Sequence, residues 1–128
     1  MRFIAAFALA AIAGGLVSAP ALAQDAEAGK KVFAKCMACH DAKAEKNKVG
    51  PHLVGVIGRK AGTVEKFKYS PAMTAAGEGG LVWDEAKIGE YLKAPKEFIK
   101  GNKMAFPGLK KDEEIANVIA YLKADPKP

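Results

Sequence analysis

The chain has 128 residues, which is enough for one domain and too few for a separate catalytic module. Its formal net charge is +6, but the lysines are interleaved with acidic residues, and Arg59 is the only arginine after Arg2. Because arginine leads in the recognition of base edges, this pattern argues against a nucleic-acid-binding protein. It favours an acidic protein surface as the partner.

The first predicted element is a secretory signal peptide over residues 1–23. Met1-Arg2 gives a positive start, an apolar run extends from Phe3 to Val17, and Ala21-Leu22-Ala23 forms an A-x-A cleavage site. A retained membrane anchor is the alternative, but the run is shorter than the about 20 apolar residues of a spanning helix. We therefore predict cleavage after Ala23, a mature domain over residues 24–128, a periplasmic location and no stable membrane insertion.

The next two helices are indicated by their capping residues. Asp25 predicts the start of a helix that runs to about Lys35. The segment 41–68 is rich in Lys, Gly and Pro, which is typical of a loop. Ser70 with Pro71 then predicts a short helix that closes at Gly77.

Two further helices complete the domain. Asp84 caps a predicted helix from about Glu85 to Lys93, which Pro95 ends. Asp112 begins the last predicted helix, whose apolar positions follow the i, i+3, i+4, i+7 spacing: Ile115, Val118, Ile119 and Leu122. No segment alternates with a period of two, so we predict one all-α domain with long loops.

The run Cys36-Met37-Ala38-Cys39-His40 is the strongest functional signal. A C-x-x-C-H sequence is typical of haem attachment, in which each thiol adds to one vinyl group and the histidine ligates the iron. The other ring nitrogen of His40 must then donate a hydrogen bond, and the carbonyl of Pro51 is a candidate acceptor.

Three other interpretations of this run compete with haem attachment. A thioredoxin-type redox pair requires a βαβ setting, which the chain lacks. A zinc site would have to combine Cys36, Cys39, His40 and His52, but the adjacent Cys39 and His40 are awkward for tetrahedral chelation. The third interpretation is a chance match to the motif, in which the two thiols are never joined to a haem. Haem c, bound covalently through Cys36 and Cys39, is the favoured prediction.

The second axial ligand of the iron must come from the remaining methionines or His52. Met37 lies within the attachment segment, and His52, next to Pro51, is interpreted as a surface residue. Met73 lies in a predicted helix, where methionine is more often a core residue. Met104 lies between two helices in a loop with glycine at both ends, Gly101 to Gly108, and is therefore predicted to be the ligand with His40.

With these motifs in place, the chain resembles a class I c-type cytochrome of the mitochondrial-like bacterial kind. The resemblance covers nearly all of residues 25–124 and is carried by the following segments: Gly29 to Phe33, Cys36 to His40, Lys48 to Leu53, Gly58 to Gly62, Phe67 to Ser70, Trp83, Glu90 to Leu92, Pro95-Lys96, Gly101 to Gly108 and Ala120 to Lys123. It implies a class I cytochrome c fold, with helices and loops wrapped around one covalent haem.

The resemblance also implies roles for several other residues. Gly29 would allow the terminal helices to cross closely, and Tyr91 would lie near the methionine ligand. Arg59, Tyr69 and Trp83 would lie near a haem propionate. Lysines at the exposed haem edge, matched by Lys35, Lys48, Lys96 and Lys103, would dock on acidic redox proteins. The chain departs from the family pattern in two places. Met73 stands where many relatives have asparagine. Only two residues separate Phe33 from Cys36, one fewer than in many relatives.

The predicted function is that of a monomeric, soluble electron carrier rather than an enzyme. Its partners would be a quinol-oxidising complex, a terminal oxidase, a photosynthetic centre or a periplasmic dehydrogenase. Two alternatives stay open at this point: a haem subunit of a larger oxidoreductase complex, and a haem sensor with an open sixth coordination position.

Overall fold

The computed structural model describes residues 14–15 and 24–128, and the domain consists of helices joined by long loops. The helices are α1 (Ala26–Phe33), α2 (Pro71–Glu78), α3 (Glu85–Lys93), α4 (Pro95–Phe98) and α5 (Asp112–Lys123). Two short strands, β1 (Arg59–Lys60) and β2 (Val82–Trp83), pair antiparallel with Arg59 opposite Trp83. The predicted all-α class is therefore confirmed. Within the described residues, this ladder of two residue pairs is the only strand structure.

The three capping residues that the sequence indicated each begin a helix. Asp25 Oδ1 accepts from the backbone N–H groups of Glu27 and Ala28 at 2.9 and 3.2 Å. Ser70 Oγ accepts from Met73 N at 3.1 Å, and Asp84 Oδ1 accepts from Lys87 N at 2.7 Å. These bonds satisfy N–H groups that have no partner inside a helix. The ends are less well predicted, because α1 stops at Phe33 and α2 continues to Glu78.

The short helix α4 was not predicted from the sequence. Pro95 does follow the end of α3, as expected, but it also occupies the first turn of a new helix. Proline suits that position because the first N–H groups of a helix have no intrahelical acceptor to lose. As a result, a compact turn lies directly before the loop that carries Met104.

The two terminal helices cross at Gly29. A Cβ atom at this position would lie only 1.9 Å from the backbone oxygen of Asn117, so α1 and α5 approach more closely than any side chain would allow. The rings of Phe33 and Tyr121 pack beside the crossing with their centroids 5.1 Å apart. The close approach of the two helices that the family resemblance implied is confirmed. It packs the C-terminal end of α1 against the core.

None of the helices formed by residues 24–128 combines the length and apolarity needed to cross a bilayer. The predicted signal peptide and its cleavage site fall on residues 1–23, of which the structure describes Gly14 and Gly15 alone. The signal peptide therefore lies outside the described residues and stays a prediction.

Candidate functional site

A largely apolar cavity of about 470 Å³ lies in the middle of the domain. This volume falls in the range of about 300–1,000 Å³ that is typical of small-molecule and cofactor sites. All four residues predicted to bind the cofactor, Cys36, Cys39, His40 and Met104, line this cavity. The fold therefore brings together two groups of residues that are more than 60 positions apart in the chain.

The attachment segment leaves α1 as a continuous set of turns. Cys36 N donates to Phe33 O at 2.7 Å, and Cys39 N and His40 N both donate to Cys36 O, at 3.1 and 2.9 Å. No disulfide joins the two cysteines. Burial raises the pKa of the Cys36 thiol, with Lys35 opposing that shift. The segment thus presents two separate thiols and an imidazole to one cavity.

His40 is fixed in one orientation by its neighbours. Its Nδ1 lies 2.7 Å from Pro51 O, and because a carbonyl can only accept, Nδ1 must carry the proton. The ring also packs flat against Gly50, where a Cβ atom would lie 2.3 Å from His40 Cε1. Burial lowers the pKa of His40, so the neutral tautomer with a bare Nε2 is favoured. That is the form in which histidine ligates a metal.

Met104 is held at both its backbone and its side chain. Its N–H donates to Asn102 Oδ1 at 2.9 Å, and its Sδ lies 3.7 Å from the hydroxyl of Tyr91. Burial raises the pKa of Tyr91 to about 12, so the hydroxyl stays protonated and donates to the sulfur. Tyr91 also packs on Trp83, with ring centroids 4.9 Å apart. The proximity of Tyr91 to Met104 that the resemblance implied is therefore confirmed.

The residues that line the cavity include several cations and no carboxylate. The basic residues among them are Lys35, Arg59, Lys68 and Lys103. Arg59 is half-buried, donates to the carbonyls of His52 and Val54 at 3.0 and 3.3 Å, and forms no salt bridge with another described residue. Tyr69 Oη accepts from Val64 N at 3.0 Å, which leaves its own proton free to donate. The cavity is thus suited to a ligand that is apolar in its body and anionic at one edge.

These features fit a haem. Two thiols, a neutral imidazole with a bare nitrogen and a thioether surround an apolar space, and a cation without a counter-charge lies beside it. Imidazole and thioether together are one of the axial ligand pairs that hold haem iron in electron-transfer proteins.

Comparison with known proteins agrees with this chemistry. The family model "Cytochrome c" matches residues 26–124. The chain belongs to the cytochrome c family. It is 50% identical over 97 residues to cytochrome c2 of Afifella marina, an alignment that covers 75% of this chain and 78% of the relative. It is likewise 50% identical over 99 residues to cytochrome c-550 of Nitrobacter winogradskyi, covering 77% and 88% of the two chains.

Solved structures support the same assignment of the fold. The structure of cytochrome cH from Methylobacterium extorquens superposes with a TM-score of 0.71 at 45% identity, covering 77% of this chain and 97% of the other. Membership of the cytochrome c family implies a covalently attached haem c. It also confirms that this cytochrome is an electron carrier and not an enzyme.

Three sequence-based interpretations of other residues can be compared with this cytochrome's structure. Met37 is 55% exposed and does not line the cavity, as expected. Met73 packs against the core but also lines the cavity. The surface interpretation of His52 is wrong, because His52 is half-buried and its Nδ1 is shielded from solvent without a hydrogen-bond partner. The backbone N–H of His52 also donates to Asn47 Oδ1 at 3.1 Å, so this segment is tied to the preceding loop.

Two of the four lysines matched to the haem edge line the cavity. Lys35 and Lys103 line the cavity, and the Nζ of Lys48 donates to the backbone oxygen of Met37. Lys96 is exposed on α4 and is not among the lining residues. Lys68 lines the cavity and was not singled out from the sequence.

Sequence reasoning also missed Asn102, which lines the cavity two residues before Met104. The Gly101-Asn102 pair marks a turn, and an asparagine in a turn commonly accepts from the N–H two residues later. That signal was present in the sequence, but the other partners of the side chain depend on the fold.

Proposed function

We propose that this member of the cytochrome c family is a soluble, periplasmic, monohaem carrier of single electrons between redox proteins. In this proposal, the haem is joined by thioethers to Cys36 and Cys39, and its iron is ligated by His40 and Met104. The observation that carries the proposal is the convergence of these four side chains on one apolar cavity without a carboxylate.

The bound haem would supply the one-electron chemistry, while the protein supplies position and environment. Pro51 and Gly50 orient His40, and Tyr91 and Asn102 hold Met104. Apolar and aromatic side chains such as Trp83 and Phe106 exclude water from the cavity. A methionine ligand favours the reduced state relative to a second histidine, so the reduction potential would be raised.

The surroundings of the cavity support docking on acidic partners. Lys35 and Lys103 line the cavity, and two apolar side chains are exposed: Met37, within the attachment segment, at 55% and Val49, beside Gly50, at 79%. An apolar contact with a cationic rim is complementary to an acidic protein surface and gives brief, salt-sensitive encounters. The candidate partners are the quinol-oxidising complex, terminal oxidase, photosynthetic centre or periplasmic dehydrogenase that the sequence suggested.

Expression with export tests the attachment and the processing together. Mass spectrometry should show a chain that begins at Gln24 and carries one porphyrin, with no free thiol at Cys36 or Cys39. An exported product with two bare thiols and no porphyrin mass would contradict the proposal.

Absorption of the oxidised protein tests the sixth ligand. We expect a sulfur-to-iron charge-transfer band that Met104→Ala abolishes and Met73→Leu retains, because both methionines line the cavity but only Met104 is proposed to bind the iron. A band that survives Met104→Ala would reassign the ligand. Absence of the band from the unmodified protein would favour the alternative of a haem sensor with an open coordination position.

A further inference from the structure

The side chain of Asn102 uses all of its hydrogen-bonding groups within the fold. Its Nδ2 donates to Pro95 O and to Ile99 O, both at 2.8 Å, and its Oδ1 accepts from Met104 N at 2.9 Å. An asparagine amide has two N–H donors, so both are occupied. Asn102 therefore links the backbone of Met104 to the two ends of the turn formed by α4.

The part of the chain to which the Asn102 side chain is hydrogen-bonded is buried. Pro95 is buried to below 2% exposure, and Ile99 is 6% exposed in the core. Asn102 N also donates to Ile99 O at 3.2 Å, which closes the chain immediately after α4. The two carbonyls that accept from the Asn102 side chain thus belong to the packed core rather than to the surface.

By contrast, the backbone around Met104 has little support of its own. Gly101 turns the chain out of α4 with a φ of +87°. Within residues 103–108 of the described chain, no backbone N–H or C=O pairs with another backbone group. The next such bond is from Leu109 N to Leu92 O at 2.7 Å. The bond from Met104 N to Asn102 therefore replaces the backbone pairing that helices and strands provide elsewhere.

We infer that Asn102 is a positioning residue that keeps Met104 on the iron by tying its backbone to α4. This inference rests on the proposed function, in which Met104 is the sixth ligand. Tyr91 fixes the sulfur and Asn102 fixes the N–H, so the methionine is held at two points. When the link to α4 is removed, Met104 should yield more readily to a ligand from solution, while the cavity and His40 remain in place.

Asn47 provides a matched control because it makes the same kind of link elsewhere. Its Nδ2 donates to Glu65 O at 3.0 Å, and its Oδ1 accepts from His52 N at 3.1 Å. Asn47 does not line the cavity. Asn47→Ala, which removes two such hydrogen bonds against three in Asn102→Ala, should therefore destabilise a loop without freeing Met104.

The test uses imidazole as a probe ligand for the oxidised, haem-loaded full chain. We expect Asn102→Ala to bind imidazole about tenfold more tightly than the unmodified protein, because loss of the hydrogen bond to Met104 N–H makes Met104 easier to displace; a factor of ten corresponds to about 1.4 kcal/mol. Asn102→Thr keeps an acceptor for Met104 N–H but has one hydroxyl donor in place of the two N–H donors to α4, so its affinity should lie between the two. Asn47→Ala should stay within about twofold of the unmodified protein.

Amide hydrogen exchange gives a readout that does not depend on the iron. In Asn102→Ala the Met104 N–H should exchange about tenfold faster than in the unmodified protein. In Asn47→Ala the faster exchange should occur at the His52 N–H instead. If Asn102→Ala does not accumulate with haem, Asn102→Thr carries the same comparison against Asn47→Ala.

Two outcomes would overturn the inference. One is an imidazole affinity that does not change in the Asn102 variants, and the other is an imidazole affinity that rises as much in Asn47→Ala as in Asn102→Ala. The charge-transfer band separates these outcomes from a failure of the proposed function. If the band is present and requires Met104 while the Asn102 variants behave like the unmodified protein, only the role of Asn102 is wrong. If the band does not depend on Met104, the proposed ligation itself is wrong.

Discussion

At the scale of single residues, His40 shows how the site is built before any cofactor is considered. Gly50 N donates to Cys39 O at 2.8 Å, so the backbone that packs against the ring is pinned to the attachment segment. The carbonyl of Pro51, the next residue, accepts the hydrogen bond from His40 Nδ1–H. Burial, with Arg59 and Lys48 nearby, lowers the pKa of His40 and disfavours the imidazolium. The Gly50-Pro51 pair therefore sets the ring position and the tautomer together.

Gly50→Ala should disturb this arrangement directly. The new methyl group would lie 2.3 to 2.8 Å from three ring atoms of His40, so the ring or the pinned backbone must move. We expect the free energy of unfolding to fall by about 1–3 kcal/mol, the usual range for overpacking. Denaturant unfolding of the haem-loaded protein measures it. The adjacent Val49→Ala, at a side chain 79% exposed, should change stability by less than about 0.5 kcal/mol, and equal effects of the two substitutions would refute the explanation.

The residues that could be predicted from sequence are those whose chemistry is set by local spacing. Cys36, Cys39 and His40 are contiguous, so their joint role is visible without a fold. Asn102 and Lys48 could not be assigned in this way. Asn102 depends on the carbonyls of α4, and Lys48 supports the attachment segment through Met37 O rather than only facing solvent.

At the scale of secondary structure, the crossing of α1 and α5 joins the two ends of the domain. Asn117 is buried at 7% exposure, and its Oδ1 accepts from Asp25 N at 3.0 Å, just before α1 begins. The apolar stripe of α5 was readable from sequence because a 3.6-residue period survives without tertiary information. The helix α4 was not, since proline both ends helices and begins them.

Two glycine-to-alanine substitutions separate helix propensity from helix packing. At Gly29 the new Cβ would lie 1.9 Å from Asn117 O, a backbone atom that cannot rotate away. At Gly89 in α3 it would lie 3.7 Å from Ile115 and 3.8 Å from Ile119, which is ordinary contact. We expect Gly29→Ala to destabilise the domain by about 1–3 kcal/mol and Gly89→Ala to stabilise it by about 0.5–1 kcal/mol.

Thermal unfolding of both variants in parallel checks this pair. The sign of each change in stability is decisive, because alanine has a better helix propensity than glycine at both positions. If Gly29→Ala were also stabilising, the close crossing of α1 and α5 would be excluded.

At the scale of the whole molecule, the charges are distributed unevenly. The cavity is lined by cations without carboxylates, whereas the groove between α3 and α5 includes three acidic residues: Glu85, Glu90 and Asp112. Two of these acids are paired with lysines, through Lys123–Glu85 and Lys93–Asp112, both at 3.2 Å. Of the four basic residues that line the cavity, Lys35 alone is paired with an acid among the described residues, through Glu114 at 3.6 Å. The face at the cavity thus carries an excess of positive charge, a property that composition alone could not reveal, because the lysines are scattered along the chain.

This asymmetry predicts that the cationic rim, rather than the net charge, sets the rate of reaction with anions. Lys103→Gln removes a cavity-lining charge, and Lys123→Gln removes the same charge from the last turn of α5, where Lys123 pairs with Glu85 and does not line the cavity. The probe is oxidation of the reduced protein by ferricyanide. At about 0.1 M ionic strength the Debye length is about 10 Å, so only nearby charges act on the encounter. We expect Lys103→Gln to slow the reaction about two- to threefold and Lys123→Gln to leave it nearly unchanged.

High salt provides the control for this prediction. At about 1 M salt, where the Debye length shortens to about 3 Å, the difference in rate between the two variants should vanish. Equal slowing by both substitutions would mean that the whole charge of the protein steers the anion, and would contradict the prediction that the cationic rim directs this electron transfer.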